Sequence, residues 1–219
     1  MRWITFDCFG TLIDWRHGIG TSLELIAPAK GDDLLAAYLR HENDVEAAAP
    51  RTRYREVMAE ALRRACADLD VTLNDDDASV LATTLPYWPV FGEVGAELSA
   101  LRAAGLRLAL LTNCDRDLIA QTLRRLPVPF DAVVTAEDVG AYKPDEAHFE
   151  RFRKAYEPAE WVHVAQSHFH DMIPARRLGI RRVWINRHGE RPADAGVVRE
   201  VLPDLRGLLA AVERAWRTY

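Results

Sequence analysis

The chain has 219 residues, 49% of them hydrophobic and 28% charged, enough to bury one real core and to carry an inserted unit. A net charge of −5, with basic residues interleaved with acids and apolar residues as in "LRRACADLD", leaves no electrostatic footprint for a nucleic-acid partner. No stretch approaches the roughly eighteen consecutive apolar residues of a membrane span, and "MRWITF" enters a strand pattern without a signal peptide's regions. With Cys8, Cys66 and Cys114 in no paired metal spacing, the chain reads as a reduced, cytoplasmic protein.

In chain order, "RWITFD" is a short β-rich run ending at a carboxylate, with glycine three residues on, which predicts a buried strand entering a tight loop. From Ile19 to about Leu85 the period changes. "DDLLAAYLRHENDVEAA" and "YREVMAEALRRACADL" place apolar residues at steps of three and four, and "NDDDASVLATTL" carries a capping signal ahead of another helix. After the proline-rich "LPYWPVFG" the pattern alternates. Helix "EVGAELSALRAAG" leads to strand "LRLALLTN", helix "DLIAQTLRRL" to strand "FDAVVTA", and helix "DEAHFERFRKAY" to strand "WVHVAQ". Helix "MIPARRLG", strand "RRVWINR" and a terminal helix near "LPDLRGLLAAVERAW" complete it. Alternation of this kind predicts an α/β fold with a Rossmann-like parallel sheet covered on both faces. The helical stretch separates the first strand from the others, so the expected division is a core of residues 1–15 and 89–219 with a helical cap domain of residues 16–88 inserted after the first strand.

In open parallel sheets the ligand site lies outside the carboxyl ends of the strands. That rule selects Asp7, Thr112, Asn113 and the segment "QSHFHD", each directly following a predicted strand, and Lys143 in the loop after "VVTA". These stretches resemble the motifs of the haloacid dehalogenase superfamily, in order and over essentially the whole chain: "DCFGT", "LLTN", "YKP" and "VAQSHFHD". Within it, "DCFGTLIDW", "EDVGAYKP", "AQSHFHDMIPA" and "NRHG" are most similar to the type II haloacid dehalogenases.

The resemblance implies Asp7 as nucleophile, and Phe9 decides the branch. Phosphatases of the superfamily carry a second aspartate there as acid and base for the leaving alcohol, and hold magnesium with acids of the fourth motif. Here Phe9 and Gln166 stand at those positions, which argues against phosphoryl transfer and against a metal or other cofactor. The chemistry left is a 2-haloacid dehalogenase: Asp7 displaces halide at C2 of a small carboxylate, and water hydrolyses the resulting ester. Lys143 is expected to lower the Asp7 pKa, Thr11 to orient its carboxylate, and Gly10 to let the loop backbone approach. Thr112 and Asn113 are expected to hold substrate carboxylate or halide, with Asn113 alternatively capping the helix near Arg116. Cys8, Phe9 and Arg40 are assigned to the substrate, Arg40 by its place in the first helices of the insert. His168 and His170 depart from the better-known relatives. As a metal pair they lack further ligands, so His170, beside Asp171, is the preferred base for the hydrolytic water and His168 a substrate contact. Many relatives carry an acid where this chain has Arg16. Trp15, Tyr54, Trp88 and Phe149 are candidate pocket walls, and a homodimer is the default expectation. The rivals are a related carbon-centre hydrolase, such as one opening azetidine-2-carboxylate, a protein of this fold without turnover, and more distantly a phosphatase.

Overall fold

Alternate residues of a strand face opposite sides, so a strand buried on both faces must be apolar throughout. Strand β1 (Arg2–Phe6) is buried from Trp3 onward and apolar there except for Thr5, whose hydroxyl is hydrogen-bonded to His163 and Trp161. In the computed structural model, which describes residues 1–192 and 194–217, Ile4 and Phe6 join one core cluster and Trp3 joins the other. The order continues with α1 (Trp15–Ile26), α2 (Gly31–Ala48), α3 (Tyr54–Asp68), α4 (Val80–Thr84), α5 (Val94–Ala103), β2 (Arg107–Thr112), α6 (Arg116–Leu123) and β3 (Ala132–Thr135). It closes with α7 (Ala136–Val139), α8 (Ala147–Tyr156), β4 (Glu160–Ala165), α9 (Ile173–Arg177), β5 (Arg181–Ile185), β6 (Glu200–Leu202) and α10 (Leu208–Arg217).

The strands form one parallel sheet in the order β3-β2-β1-β4-β5-β6. Ile4, Phe6, Leu108, Leu110, Val162 and Val164 pack with Leu98 and Leu101 of α5 and Leu208 and Val212 of α10. Trp3, Ala109, Leu111 and Trp161 face Phe149 and Phe152 of α8 on the other side. Each segment expected as a strand is one. The expectation omits β6, only three residues long, and the start of α1, where the Asp14 carboxylate accepts the His17 N–H at 3.1 Å. The helix expected at "MIPARRLG" is preceded by a wide π-type turn over His168–Met172. Among the described residues no helix is long and apolar enough to cross a membrane.

Helices α1 to α4 lie between β1 and β2 in the chain. The stripe Val57, Met58, Ala61, Leu62, Ala65 and Cys66 on α3 meets Leu34, Ala37, Tyr38 and Val45 of α2 in the core cluster shared with the sheet. The chain leaves and re-enters the sheet region at one place, where the Asp14 N–H donates to the Pro89 carbonyl at 2.8 Å and Ile13 pairs with Val90.

A second tie fixes the tip of the helical segment. Asp115, on the loop after β2 and 2% exposed, accepts the N–H groups of Tyr54 at 2.7 Å and Arg55 at 3.3 Å and the Arg55 Nε–H at 2.8 Å. It thus caps α3 across the gap, satisfying donors that a helix start leaves open. Asp115→Ala is expected to destabilise the protein by about 1–3 kcal/mol, measured as a lower urea midpoint than the wild type.

Candidate active site

The sheet order reverses between β1 and β4, and the crevice at their carboxyl ends is where such folds bind ligands. Asp7 follows β1, Thr112 ends β2, Lys143 comes from the loop beyond β3, and the turn after β4 delivers His168, His170 and Asp171. All of these residues line one cavity of about 580 Å³ between the sheet rim and the helical segment.

The floor is a buried ion cluster. The Lys143 ammonium donates to Asp7 Oδ1 at 2.8 Å, Asp171 Oδ1 at 2.7 Å and the Leu111 carbonyl at 2.9 Å, so its three N–H donors are all spent. Lys143 is 2% exposed, Asp171 1% and Asp7 8%. Burial opposes the Lys143 charge, but Asp171 and then Asp7 outweigh it and hold the ammonium above its ordinary value. Burial also opposes the Asp171 charge, yet Lys143 and His163 keep its carboxyl well below the usual carboxylate range. For Asp7, burial and the Asp171 charge win over Lys143 and Thr11, and its pKa is raised. Lys143 does lower the Asp7 pKa, as expected, but the larger effect of burial leaves it raised overall.

Three further contacts hold the cluster. Thr11 Oγ1 donates to Asp7 Oδ2 at 2.9 Å and accepts the Gln166 N–H at 2.9 Å. The His163 ring links Asp171 Oδ1 at 3.0 Å to Thr5 Oγ1 at 2.8 Å. Arg187 donates to the Gly10 and Thr11 carbonyls at 3.2 and 2.7 Å and pairs with Glu93 at 2.7 Å. Gly10 has φ +95°, and a Cβ there would stand 2.9 Å from Trp15 Nε1 and 3.0 Å from Gln166 Oε1, so only glycine suits this turn. His163 and Arg187 were not anticipated. The signal for His163 was available: it is the one titratable residue inside the apolar run "WVHVA".

Several assignments need correction. Arg40 does not reach the cavity: its side chain is 61% exposed and turns to Asp68 at 3.4 Å. The phase of α2 instead gives Leu39, Glu42, Asn43 and Glu46 to the cavity. The Cys8 side chain is buried in the core and absent from the cavity lining. The Asn113 amide lines the cavity, yet both its ends engage the Lys143 backbone, donating to the carbonyl at 3.1 Å and accepting the N–H at 2.7 Å. It does not cap α6, whose start follows Asp115. Phe149 belongs to the core on the far side of the sheet. Trp15, Tyr54 and Trp88 do line the cavity, with Phe9 edge-on to Trp88 at 5.8 Å.

Among the described residues Thr112 Oγ1, Asp171 Oδ2 and His168 Nε2 find no hydrogen-bond partner, and all three atoms are buried. The His168 ring rests against Trp184 at 5.3 Å. His170 Nδ1 shares a 3.0 Å hydrogen bond with Ser167 Oγ, and burial lowers the His170 pKa, which keeps the imidazole neutral. Among the described residues no group of three or more His, Cys, Asp or Glu side chains is placed to hold a metal ion, and the Oδ1 atoms of Asp7 and Asp171 are both turned to an ammonium.

A parallel, Rossmann-like sheet with a carboxylate and a lysine meeting at its carboxyl edge marks the chain as an enzyme of α/β architecture. The profile of the haloacid dehalogenase-like hydrolases matches residues 1–179, and the chain belongs to that family. It is similar to haloacetate dehalogenase H-2 of Moraxella sp. (strain B), 30% identical over 85% of this chain and 86% of that one. A similar relation holds with an (S)-2-haloacid dehalogenase of Pseudomonas putida, 26% identical over 84% of each chain. A crystal structure of an L-2-haloacid dehalogenase superposes with a TM-score of 0.86 at 26% identity, covering 97% of this chain and 99% of that one.

Removing the shared cation tests the cluster. Lys143→Met leaves two buried carboxylates without a counter-charge and is expected to cost about 3–5 kcal/mol at pH 7. In the wild type the depressed Asp171 pKa contributes stability above the ordinary carboxylate range, and that contribution is lost as pH falls. The gap between wild type and variant in urea denaturation should therefore narrow on acidification.

Proposed function

We propose that the protein is an L-2-haloacid dehalogenase with Asp7 as nucleophile. The observation that carries the reading is a carboxylate clamped between Lys143 and Thr11 on the floor of a cavity, with Phe9 where a proton-transfer group would serve an alcohol leaving group. Similarity over most of the chain to relatives named haloacetate and (S)-2-haloacid dehalogenases supports it.

In the first step an Asp7 oxygen attacks C2 of the haloacid in line with the carbon–halogen bond, whose electron pair leaves with the halide. Halide needs no proton, and Lys143, its three donors engaged, has none directed at the cavity. Thr112 Oγ1, buried and without a partner among the described residues, is placed to meet the substrate carboxylate or the halide. In the second step water attacks the Asp7 ester carbonyl, the acyl–oxygen bond breaks, and the 2-hydroxy acid leaves, so one oxygen of Asp7 then derives from water. His170, neutral and with Nδ1 anchored on Ser167, takes the proton from that water. The helical segment acts as a cap that keeps bulk water from the first step. A reducing cytoplasmic setting suits the three buried free thiols.

Asp7→Asn should abolish halide release from 2-chloropropionate. Single turnover of the wild type in heavy-oxygen water should label Asp7 before product; label confined to product would mean direct attack by water. His170→Ala should slow ester hydrolysis more than its formation, visible as an intact-protein mass increase equal to the acyl fragment, whereas full turnover without an adduct would remove His170 from the mechanism. Since burial raises the Asp7 pKa, the ionised nucleophile is lost as pH falls through a value above 3.8. The rate of ester formation should therefore decline at a higher pH than an ordinary aspartate would set.

A further inference from the structure

On α2 the helical wall of the cavity is acidic, although the expected substrate is an anion; the arginines of the lining, Arg16 and Arg191, come from α1 and from the loop after β5. Glu42 and Glu46 stand one turn apart on α2 and both line the cavity. Glu42 Oε1 accepts the hydroxyls of Tyr38 at 2.8 Å and Tyr54 at 2.7 Å. Glu46 is 8% exposed, and among the described residues its carboxyl has no hydrogen bond or ion pair. A residue otherwise buried thus presents a carboxyl without a protein partner to the cavity, where a ligand can meet it. No basic side chain of α2 compensates, since Arg40 is turned away to Asp68. The nearest fixed cation on the core side, Lys143, is already shared by Asp7 and Asp171.

Charge counting sharpens the conflict. Asp7, Asp171 and Lys143 together carry one net negative charge, and a haloacid carboxylate brings another. An ionised Glu46 facing them would oppose binding unless the substrate supplied a positive group. We infer that Glu46, backed by Glu42 and its two tyrosines, is a receptor for an ammonium group, and that the preferred substrates are 2-halocarboxylic acids bearing an amino group remote from the carboxylate. This inference rests on the dehalogenase reading and narrows its substrate class.

The groups facing Glu46 account for its state. Burial and the Glu42 charge hold its carboxyl up at about 9, against a smaller opposing pull from Lys143. The Tyr38 and Tyr54 hydroxyls are committed to Glu42, and their own pKa values are raised by burial and by Glu42. Tyr142, on the core side, donates to the Thr52 carbonyl at 2.5 Å. Glu46 is thus held toward its neutral form at pH 7, and an arriving ammonium favours its ionisation, with the proton released to water. Ammonium affinity should rise with pH toward that value, while the affinity of a plain carboxylate should not.

The test compares inhibition of 2-chloropropionate turnover by matched pairs: β-alanine against butyrate, 4-aminobutyrate against pentanoate, and 5-aminopentanoate against hexanoate. In at least one pair the amino member should bind about ten-fold more tightly than its alkanoate, as expected for a new buried ion pair. That preference should grow between pH 7 and the Glu46 value of about 9, and it should collapse in Glu46→Gln. Thermal unfolding of Glu46→Gln at or above the wild-type temperature would show that the change is not a folding defect. Tighter binding of the alkanoate at every length, or an unchanged preference in Glu46→Gln, would overturn the inference. If the wild type releases no halide from 2-chloropropionate, the dehalogenase reading fails; the same pairs compared by ligand-induced thermal shift then decide separately whether the ammonium receptor exists.

Discussion

One ammonium placed between two carboxylates governs the site. Lys143 reaches across from the loop beyond β3 and spends every donor on Asp7, Asp171 and the Leu111 carbonyl. A buried ion cluster of this kind stabilises a fold poorly compared with apolar packing, because desolvation offsets most of the attraction. Its presence at the end of a sheet otherwise filled by Ile4, Phe6, Leu110 and Val164 is one ground for the proposal that these residues carry the chemistry. The same geometry leaves Lys143 unable to act as an acid, which suits a leaving group that departs as an anion.

Much of the surrounding structure keeps these three side chains in register. His163 fixes Asp171 from within β4, Asn113 clamps the Lys143 backbone from the end of β2, and Thr11 joins Asp7 to the Gln166 backbone. Arg187 ties the carbonyls of Gly10 and Thr11 to Glu93, and its guanidinium lies 3.6 Å from the Phe91 ring centroid. The nucleophile loop is thereby braced against the segment through which the chain returns from the helices to the sheet. The helical side is held by Asp115 and by Tyr142, whose hydroxyl reaches the Thr52 carbonyl. Core and helical insert thus meet through directed polar contacts around the cavity.

The cavity divides into regions of different chemistry. Its floor carries the charged cluster, Phe9, Trp15 and Trp88 supply an aromatic wall, and α2 adds two acids. Arg16, with its guanidinium 5.2 Å from the Trp15 ring centroid, is exposed and also lines the cavity. A basic residue there adds a positive charge to a lining that also includes Glu42 and Glu46.

The sequence by itself determined the parallel sheet, five of its six strand segments and the rim residues Asp7, Thr112, Lys143 and Asp171. Apolar periodicity reports burial directly, and loops at the carboxyl ends of parallel strands converge whatever their separation along the chain. It could not settle which side of α2 faces the cavity. A helix rotates its side chains by roughly 100° per residue, so Arg40 and Glu42 lie on different sides, and only packing of α2 against α3 selected the acidic one. Nor could it divide one lysine's charge between two carboxylates, give the Asn113 amide to the backbone rather than to a ligand, or recruit His163 and Arg187. Those outcomes depend on distances between residues remote in sequence, which exist only once the sheet and the helical insert have closed on each other.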